Sequence, residues 1–229
     1  LVEGKDLFFF FYIINMKTVK VPLKVDCIYR CLADNFLDPK VLYIVSVIGV
    51  PGLFKSWRKG NVGIINAIGT GVADDKVVYS FVNKMIVYYL GEQPILNQVE
   101  TYLCYEKKQR DYVLENISKL VVKPANASGG YGIMIGPKAS KSERDDVINK
   151  IKKDPREYIA QPLETLSTAP TITENQIEPR HLDLRPFVLS GKTTYVTTGG
   201  LTRVALRKGS TIVNSSQGGG SKDTMIVDV

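Results

Sequence analysis

The feature that most constrains this chain is an apolar segment that ends in a lysine and leads directly into a glycine-rich stretch. Residues 119–123 predict one strand and residues 133–135 predict a second, so the chain between them must turn back as a hairpin. The turn carries little side-chain bulk, which lets backbone N–H groups approach the oxygens of a phosphate. Lys123 then stands at the end of a rigid element, beside a loop formed by Ser128, Gly129, Gly130, Tyr131 and Gly132.

Two interpretations of this loop remain open: a cradle for nucleotide phosphates, or an ordinary flexible hairpin. The loop lacks the Gly-Lys-Ser/Thr ending of a P-loop, and no helix follows it directly. It also differs from the dinucleotide fingerprint, in which a helix N-terminus receives the pyrophosphate. A phosphate site in this segment therefore depends on a strand lysine and a hairpin loop.

Elsewhere the apolar pattern predicts an α+β protein with much antiparallel pairing, because strands and helices do not alternate regularly. One predicted helix, from Asp74 to residue 90, repeats apolar residues at helical spacing, and this face is expected in the core: Val77, Phe81, Met85 and Tyr88. The other predicted helices are residues 53–59, 107–117 and 140–153, the last with a capping box of Ser140 and Glu143. The other predicted strands are residues 7–14, 25–32, 62–68, 158–161, 181–189, 193–198, 201–206 and 211–214.

A second polar cluster lies in the predicted strand 181–189. Strand alternation places His181, Asp183 and Arg185 on one face, with two leucines on the other. Such a row of side chains suits the lining of a phosphate or carboxylate pocket. The alternative is an exposed sheet face with an Asp183–Arg185 ion pair. Hydrolysis by a Ser-His-Asp triad is disfavoured, because the chain lacks a Gly-x-Ser-x-Gly nucleophile elbow.

A third segment combines glycines with cations near the end of the chain. Arg203 lies in a predicted strand, and residues 217–222 form a glycine-rich loop of a size that suits a phosphate, with Lys222 available to it. A glycine triplet by itself is more often a linker than a binding site, so this loop is the weaker of the two.

Composition narrows the class of partner. The net charge of +7 suits a phosphate-bearing ligand or an ordinary basic enzyme. The chain lacks a Lys/Arg run interleaved with aromatic residues, so nucleic acid is not an expected partner. The apolar run at residues 7–14 is too short to span a bilayer, so no membrane partner is expected. Three cysteines at spacings that match no metal motif predict reduced, buried thiols in a cytoplasmic protein: Cys27, Cys31 and Cys104.

Taken together, the segments resemble one family. Nearly the whole chain is similar to circularly permuted ATP-grasp proteins of the type 2 group, which resembles the synthetase domain of glutathionylspermidine synthase. Upstream strings that carry the likeness are LVEGKDL, VDCIYRCLADNFLDP, GVPGL and NAIGTGVADDK. Downstream strings are VVKPANASGGYGIMIGP, YIAQPLETLSTAPT, PRHLDLRPFVLSG, GGLTRVALRKGS and VNSSQGGGSKDT.

The resemblance implies an ATP-grasp fold in which two α+β lobes with mainly antiparallel sheets clamp ATP. It implies a ligase in which a carboxylate attacks the γ-phosphate and an amine captures the acyl phosphate, so ATP, a carboxylate and an amine are the expected partners. Lys76 and Lys123 would bind phosphates, and residues 128–132 would form the lid over them. A hinge would read adenine through the backbone of Tyr158, Ile159, Ala160 and Gln161. The transferring phosphoryl group would be stabilised by Arg185 and Arg203, and Arg30 would face the acceptor.

The family pattern also sets an expectation about magnesium. Its metal-binding Asp and Glu-x-Asn lie upstream of the point that matches Leu1, which leaves only Asp183 and Asn214 as candidates here. Because the chain starts with Leu1 and not Met, we expect a C-terminal portion of a longer ligase. The alternative is a catalytically inactive remnant that binds nucleotide or acts as a scaffold. The predicted division is residues 1–72 before the nucleotide lobes and residues 73–229 for the lobes themselves.

Overall fold

A computed structural model describes residues 2–127, 130–173, 176–211, 213 and 218–226. The chain divides into two compact units, Leu1–Gly91 and Glu92–Val229. The sequence-based division at residue 72 separates functional segments and stays a prediction. Lys76 consequently belongs to the first compact unit and Lys123 to the second.

The strands of the first unit form two small sheets. An antiparallel sheet has the order β1-β2-β3, and β4 pairs with β5 in parallel. The predicted strand at residues 7–14 is in fact a hairpin, because Phe11 and Tyr12 turn the chain with φ of 44° and 64°. The strands are Leu7–Phe10 (β1), Ile13–Met16 (β2), Leu23–Lys24 (β3), Cys27–Tyr29 (β4) and Gly63–Ile65 (β5).

Helices of the first unit follow the predicted caps, with one break. Asp75 accepts a hydrogen bond from the Val77 N–H at 2.7 Å and Gly91 ends the last helix with φ 67°, as the sequence predicts. The predicted helix is split near Phe81, and Tyr88 is 81% exposed, so its assignment to the core is wrong. The helices are Leu53–Arg58 (α1), Lys76–Tyr79 (α2) and Val82–Leu90 (α3).

The core of the first unit contains a buried carboxylate. Asp38 is fully buried and accepts hydrogen bonds from the backbone N–H groups of Lys40, Gly52 and Phe54 at 2.9–3.0 Å. These bonds compensate the lost hydration of the charge and fix the chain entering α1. The apolar core cluster of this unit contains Ile14, Leu37, Val50, Leu53, Val62 and Ile64.

The second unit contains two four-stranded sheets. The first has the order β6-β9-β7-β8 and the second the order β10-β11-β12-β13, and every neighbouring pair is antiparallel. This pairing confirms the predicted α+β class. The elements are β6 (Tyr102–Leu103), α4 (Lys107–Glu115), β7 (Leu120–Pro124), β8 (Met134–Ile135), α5 (Lys141–Lys153), β9 (Tyr158–Pro162), β10 (Thr168–Thr173), β11 (Gln176–Ser190), β12 (Thr194–Ala205) and β13 (Gly219–Lys222).

The sheet β6-β9-β7-β8, which we call the helix-backed sheet, has two different faces. Val122 and Ala160 are opposite each other and belong to the core cluster that includes Val113 of α4 and Ile151 of α5. Because successive side chains alternate, Lys123 lies on the other face. The capping box of Ser140 and Glu143 at the start of α5 is present as predicted.

The sheet β10-β11-β12-β13, which we call the hairpin sheet, ends in an exposed tip. Residues 186–196 are all exposed, and the tip carries apolar side chains on both faces. Val188 lies opposite Val196, and Leu189 lies opposite Tyr195. The two strands predicted at residues 193–198 and 201–206 are one continuous strand, β12. Of the strand predicted at residues 211–214, residues 211 and 213 are not in a strand, and residues 212 and 214 lie outside the described residues.

Over the described ranges, we find no helix that combines the length and the apolar character needed to cross a membrane.

Candidate functional site

Lys123 is held at the end of β7 by a side chain of the neighbouring strand. Its ammonium donates a hydrogen bond to Gln161 Oε1 at 2.6 Å. The Gln161 amide in turn donates to Thr101 Oγ1 at 2.8 Å, and Gln161 is only 8% exposed. Register explains the contact: Gln161 lies opposite Val121, two residues before Lys123, so the lysine and the glutamine share one face.

The loop beside Lys123 is part of a genuine hairpin. Val121 pairs with Ile135 and Val122 with Met134, which confirms the predicted return strand. In this hairpin, Gly132 lies close to the Pro124 ring: a Cβ on Gly132 would be 2.9 Å from Pro124 Cγ. Gly132 also has a positive φ of 72°. Glycine is therefore required there on both steric and backbone grounds.

Other predicted loop residues are placed only in part. Gly130 has φ 81°, and Tyr131 is 73% exposed. Ser128 and Gly129 lie outside the described residues. The hairpin is thus confirmed, and its use as a phosphate cradle stays a prediction.

The predicted adenine hinge is the inner strand β9, between β6 and β7. Ile159 and Ala160 have partners on both sides, and Tyr158 O accepts from Cys104 N at 3.3 Å. The backbone N–H and C=O groups of an inner strand form hydrogen bonds with the two neighbouring strands. Residues 163–167, which follow β9, are not in a strand. Adenine recognition by the backbone of residues 158–161 stays a prediction.

Lys76, the other predicted phosphate lysine, begins α2 directly after the capping Asp75. Its side chain is half-buried, and burial lowers the pKa of its ammonium, while the charges of Asp75 and Asp74 act in the opposite direction. Lys76 is therefore in an environment that favours the neutral amine more than water does. Its role on a phosphate stays a prediction.

Arg30 is engaged within the first unit. Its guanidinium donates to the carbonyls of Leu32, Asn66 and Ala67 at 2.6–2.8 Å and pairs with Asp34 at 2.6 Å. These contacts tie the end of β4 to the segment that follows β5. The predicted role of Arg30 toward an acceptor substrate stays a prediction.

The polar row on β11 has the predicted alternation. His181, Asp183 and Arg185 are half-buried, whereas Leu184 is 59% exposed. The Arg185 guanidinium pairs with the Asp183 carboxylate at 3.0 Å, and His181 Nδ1 lies 2.8 Å from the Leu166 carbonyl oxygen. Arg203 lies opposite Asp183 on β12. The ion pair foreseen as one alternative is therefore present on this face.

Of the two magnesium candidates, the structure describes only Asp183. Asp183 is paired with Arg185, and Asn214 lies outside the described residues. In the parts of the chain that the structure describes, no three Asp, Glu, His or Cys side chains come together as they would around a metal ion. We therefore assign no step of the chemistry to a metal held by these residues.

Sequence reasoning missed a buried arginine next to this row. Arg180 is 6% exposed, donates to the Leu206 carbonyl at 3.1 Å and pairs with Glu178 at 2.5 Å. The hydrogen bond from Arg180, followed by that from Lys208, holds the pKa of Glu178 below its usual range. Opposite charges two residues apart, just before the predicted strand 181–189, were the available signal.

Two further sequence predictions are wrong. The segment predicted as a glycine-rich loop at residues 217–222 is strand β13 from Gly219 to Lys222, and the Lys222 ammonium donates to the Pro170 carbonyl and lies 3.4 Å from Thr171 Oγ1. Cys27 and Cys31 are exposed, and only Cys104 is the buried thiol expected of all three. Burial raises the pKa of Cys104 to about 12.

Helix-backed and antiparallel sheets with a lysine beside a glycine hairpin are features of an ATP-grasp protein, and the comparisons agree. A profile of the circularly permuted ATP-grasp type 2 family matches residues 1–205. The chain belongs to this family.

Relatives are similar over almost the whole chain. An uncharacterized protein of Synechocystis sp. is 54% identical over 99% of this chain, which covers 47% of that protein. An uncharacterized protein of Mycobacterium tuberculosis is 52% identical over 99% of the chain and is covered over 41% of its own length. A protein of Frankia casuarinae described as a putative glutamate–cysteine ligase 2-2 is 46% identical over 89% of the chain and is covered over 23%. The chain thus spans less than half the length of these relatives.

Proposed function

We propose that this chain is the ATP-binding portion of an ATP-dependent ligase that joins a carboxylate to an amine. Family membership supports a ligase-type role, and the contact of Lys123 with Gln161 carries the assignment of the phosphate site. A cation on a rigid strand, next to a hairpin that requires glycine, suits a multiply charged phosphate chain.

The proposed reaction has two steps. A carboxylate oxygen attacks the γ-phosphorus of ATP, the bond from that phosphorus to the β-phosphate bridging oxygen breaks, and ADP leaves with an acyl phosphate remaining. The amine nitrogen then attacks the acyl carbon, the C–O bond to phosphate breaks, and the amine loses a proton. Inorganic phosphate and an amide are the products.

Charge neutralisation is the main task of the protein in this chemistry, because the transferring group and both leaving groups are anions. In the proposal, Lys123 and the loop at residues 128–132 bind the phosphates. Arg185 and Arg203 stabilise the transferring group from the hairpin sheet, while Lys76 and Arg30 keep the phosphate and acceptor roles that the family resemblance implies. Magnesium, expected with ATP in this family, is supplied in the assay, and a cytoplasmic location is part of the proposal.

The substrates are the least constrained part. The Frankia relative is described as a putative glutamate–cysteine ligase. Glutamate as the carboxylate and cysteine as the amine are therefore the first pair to test.

The test is ADP formation by the full 229-residue chain with magnesium, ATP and combinations of the two amino acids. We expect ADP release that requires the carboxylate, and hydroxylamine in place of the amine should trap the acyl phosphate as a hydroxamate. ADP release without any carboxylate, or ADP release with no hydroxamate, would contradict the acyl-phosphate mechanism.

A second candidate function is nucleotide binding without catalysis. The observation that favours it is the engagement of two predicted catalytic cations: Arg185 with Asp183 at 3.0 Å, and Arg30 with Asp34 at 2.6 Å. This candidate predicts saturable ATP binding with no ADP formation under any substrate combination. The same assay, run beside an ATP titration, separates the two functions.

A further inference from the structure

We propose that Thr101 and Gln161 are positioning residues that hold the Lys123 ammonium toward the phosphates of ATP. The inference rests on the proposed function, since it concerns the same phosphate site. It adds Thr101, which no motif singled out, and gives the Gln161 side chain a task separate from that of its backbone. The evidence is a continuous chain of hydrogen bonds from Lys123 on β7 through Gln161 on β9 to Thr101, the residue before β6.

The direction of these hydrogen bonds is fixed from one end. The Thr101 hydroxyl has a single proton, and it donates that proton to the Val99 carbonyl at 3.0 Å. The lone pairs of Oγ1 are then left to accept from Gln161 Nε2 at 2.8 Å. This contact turns Gln161 Oε1 toward the Lys123 ammonium, 2.6 Å away. The opposite amide orientation would place its NH₂ group against the ammonium, where both groups are donors.

The three residues linked by these hydrogen bonds lie on or next to paired strands of the helix-backed sheet. Lys123 lies on β7, and Gln161 on its neighbour β9. Thr101 immediately precedes β6, which pairs with the opposite edge of β9. Because Gln161 is 8% exposed, water is a poor substitute for a lost partner, and the lysine position depends on each link.

The chemical identity of Gln161 also matters. An amide carbonyl accepts a hydrogen bond from an ammonium without contributing formal charge. A carboxylate of the same shape would form an ion pair with the lysine and repel the phosphates. Glutamine at this position therefore orients the lysine without placing a negative charge beside it.

The experiment compares four versions of the 229-residue chain: wild type, Thr101→Val, Thr101→Ser and Gln161→Glu. Affinities for ATP and for adenosine are measured by calorimetric titration at one pH and ionic strength. Valine keeps the shape of threonine and removes the hydroxyl, whereas serine keeps the hydroxyl and is the matched control. Adenosine lacks phosphates, so a general loss of structure would weaken both ligands, and a misplaced lysine would weaken ATP alone.

We expect Thr101→Val to weaken ATP binding about five- to tenfold, with adenosine affinity unchanged. Thr101→Ser should restore ATP affinity to within about twofold of wild type. Gln161→Glu should weaken ATP by about tenfold or more, with a smaller loss for adenosine, and it keeps the test decisive if Thr101→Val does not fold.

Wild-type ATP affinity in both Thr101→Val and Gln161→Glu would overturn the inference and leave the proposed function intact. Equal losses for ATP and adenosine would also overturn it, because they indicate a structural role only. Failure of the wild type to bind ATP would instead remove the proposed function, and the positioning role with it.

Discussion

The basic side chains on the two sheets of the second unit have partners of different charge. On the helix-backed sheet, Lys123 donates to the neutral Gln161 amide, and this contact adds no negative charge beside the ammonium. On the hairpin sheet, Arg180 and Arg185 are each paired with a carboxylate, Glu178 and Asp183. A positive charge in the sequence is therefore not evidence of an anion site until its partner is known.

The sheets also differ in how much of their apolar surface is covered. The helix-backed sheet packs against α4 and α5, and Ile151 of α5 is fully buried. Leu189, at the tip of the hairpin sheet, is 60% exposed. The first sheet is thus a stable platform for a positioned lysine, whereas the tip of the second contributes little to the core.

The largest expected effect tests this difference in burial. Ile151→Ala should lower the free energy of unfolding by about 3 kcal/mol, through lost apolar burial and the cavity left behind. Leu189→Ala should change it by less than about 0.5 kcal/mol. Urea unfolding of the two variants and the wild type measures both values, and comparable losses would show that the tip is packed as tightly as the core.

The next effect separates the two arginine pairs. Arg180 is 6% exposed and Arg185 is 41% exposed at the side chain. Arg180→Met should lower Tm by about 5 °C, because Glu178 and the Leu206 carbonyl lose a buried donor. Arg185→Met should move Tm by no more than about 1 °C, as expected of a partly exposed pair. Thermal unfolding followed by circular dichroism decides, and equal shifts would contradict the assignment of Arg180 as structural.

The smallest effect concerns the thiols. A maleimide should label Cys27 and Cys31 in the native protein, and Cys104 only after unfolding, because Cys104 is buried and the other two are exposed. Peptide mass spectrometry of the labelled protein identifies the sites. Rapid native labelling of Cys104 would show that the core cluster around it opens readily.

Cys104 also predicts a pH dependence of stability. Its pKa rises from an ordinary 9.0 to about 12 on folding, so above pH 9 the unfolded chain loses this proton before the folded chain does. The stabilisation is complete below pH 9 and declines as pH rises toward 12. Relative to Cys104→Ala, wild type should therefore lose stability more steeply in this window.

Local patterns predicted the parts of the fold that local chemistry determines. The hairpin around the glycine loop, the Asp75 and Ser140 caps and the Gly91 helix end all depend on residues close in sequence. The turn at Phe11 and Tyr12 escaped prediction because aromatic residues do not signal positive φ.

Long-range partners account for the remaining misses. Nothing near Lys222 in sequence indicates that its ammonium contacts Pro170. Tyr88 has the helical spacing of a core residue, yet its side chain is exposed. The contact of Lys123 with Gln161 spans 38 residues and depends on the register of β7 and β9. Sequence identified the lysine, and only the fold shows what holds it.

The assignment of Lys123 to the phosphates is tested by the affinity of Lys123→Met for ATP and for adenosine. Lys119→Met is the matched control, since it removes the same charge from an exposed position just before the same strand. We predict that Lys123→Met weakens ATP binding about 10- to 100-fold and leaves adenosine binding and Tm unchanged, while Lys119→Met behaves as wild type. Unchanged ATP affinity in Lys123→Met, or an equal loss in Lys119→Met, would contradict the assignment of Lys123 to the phosphates.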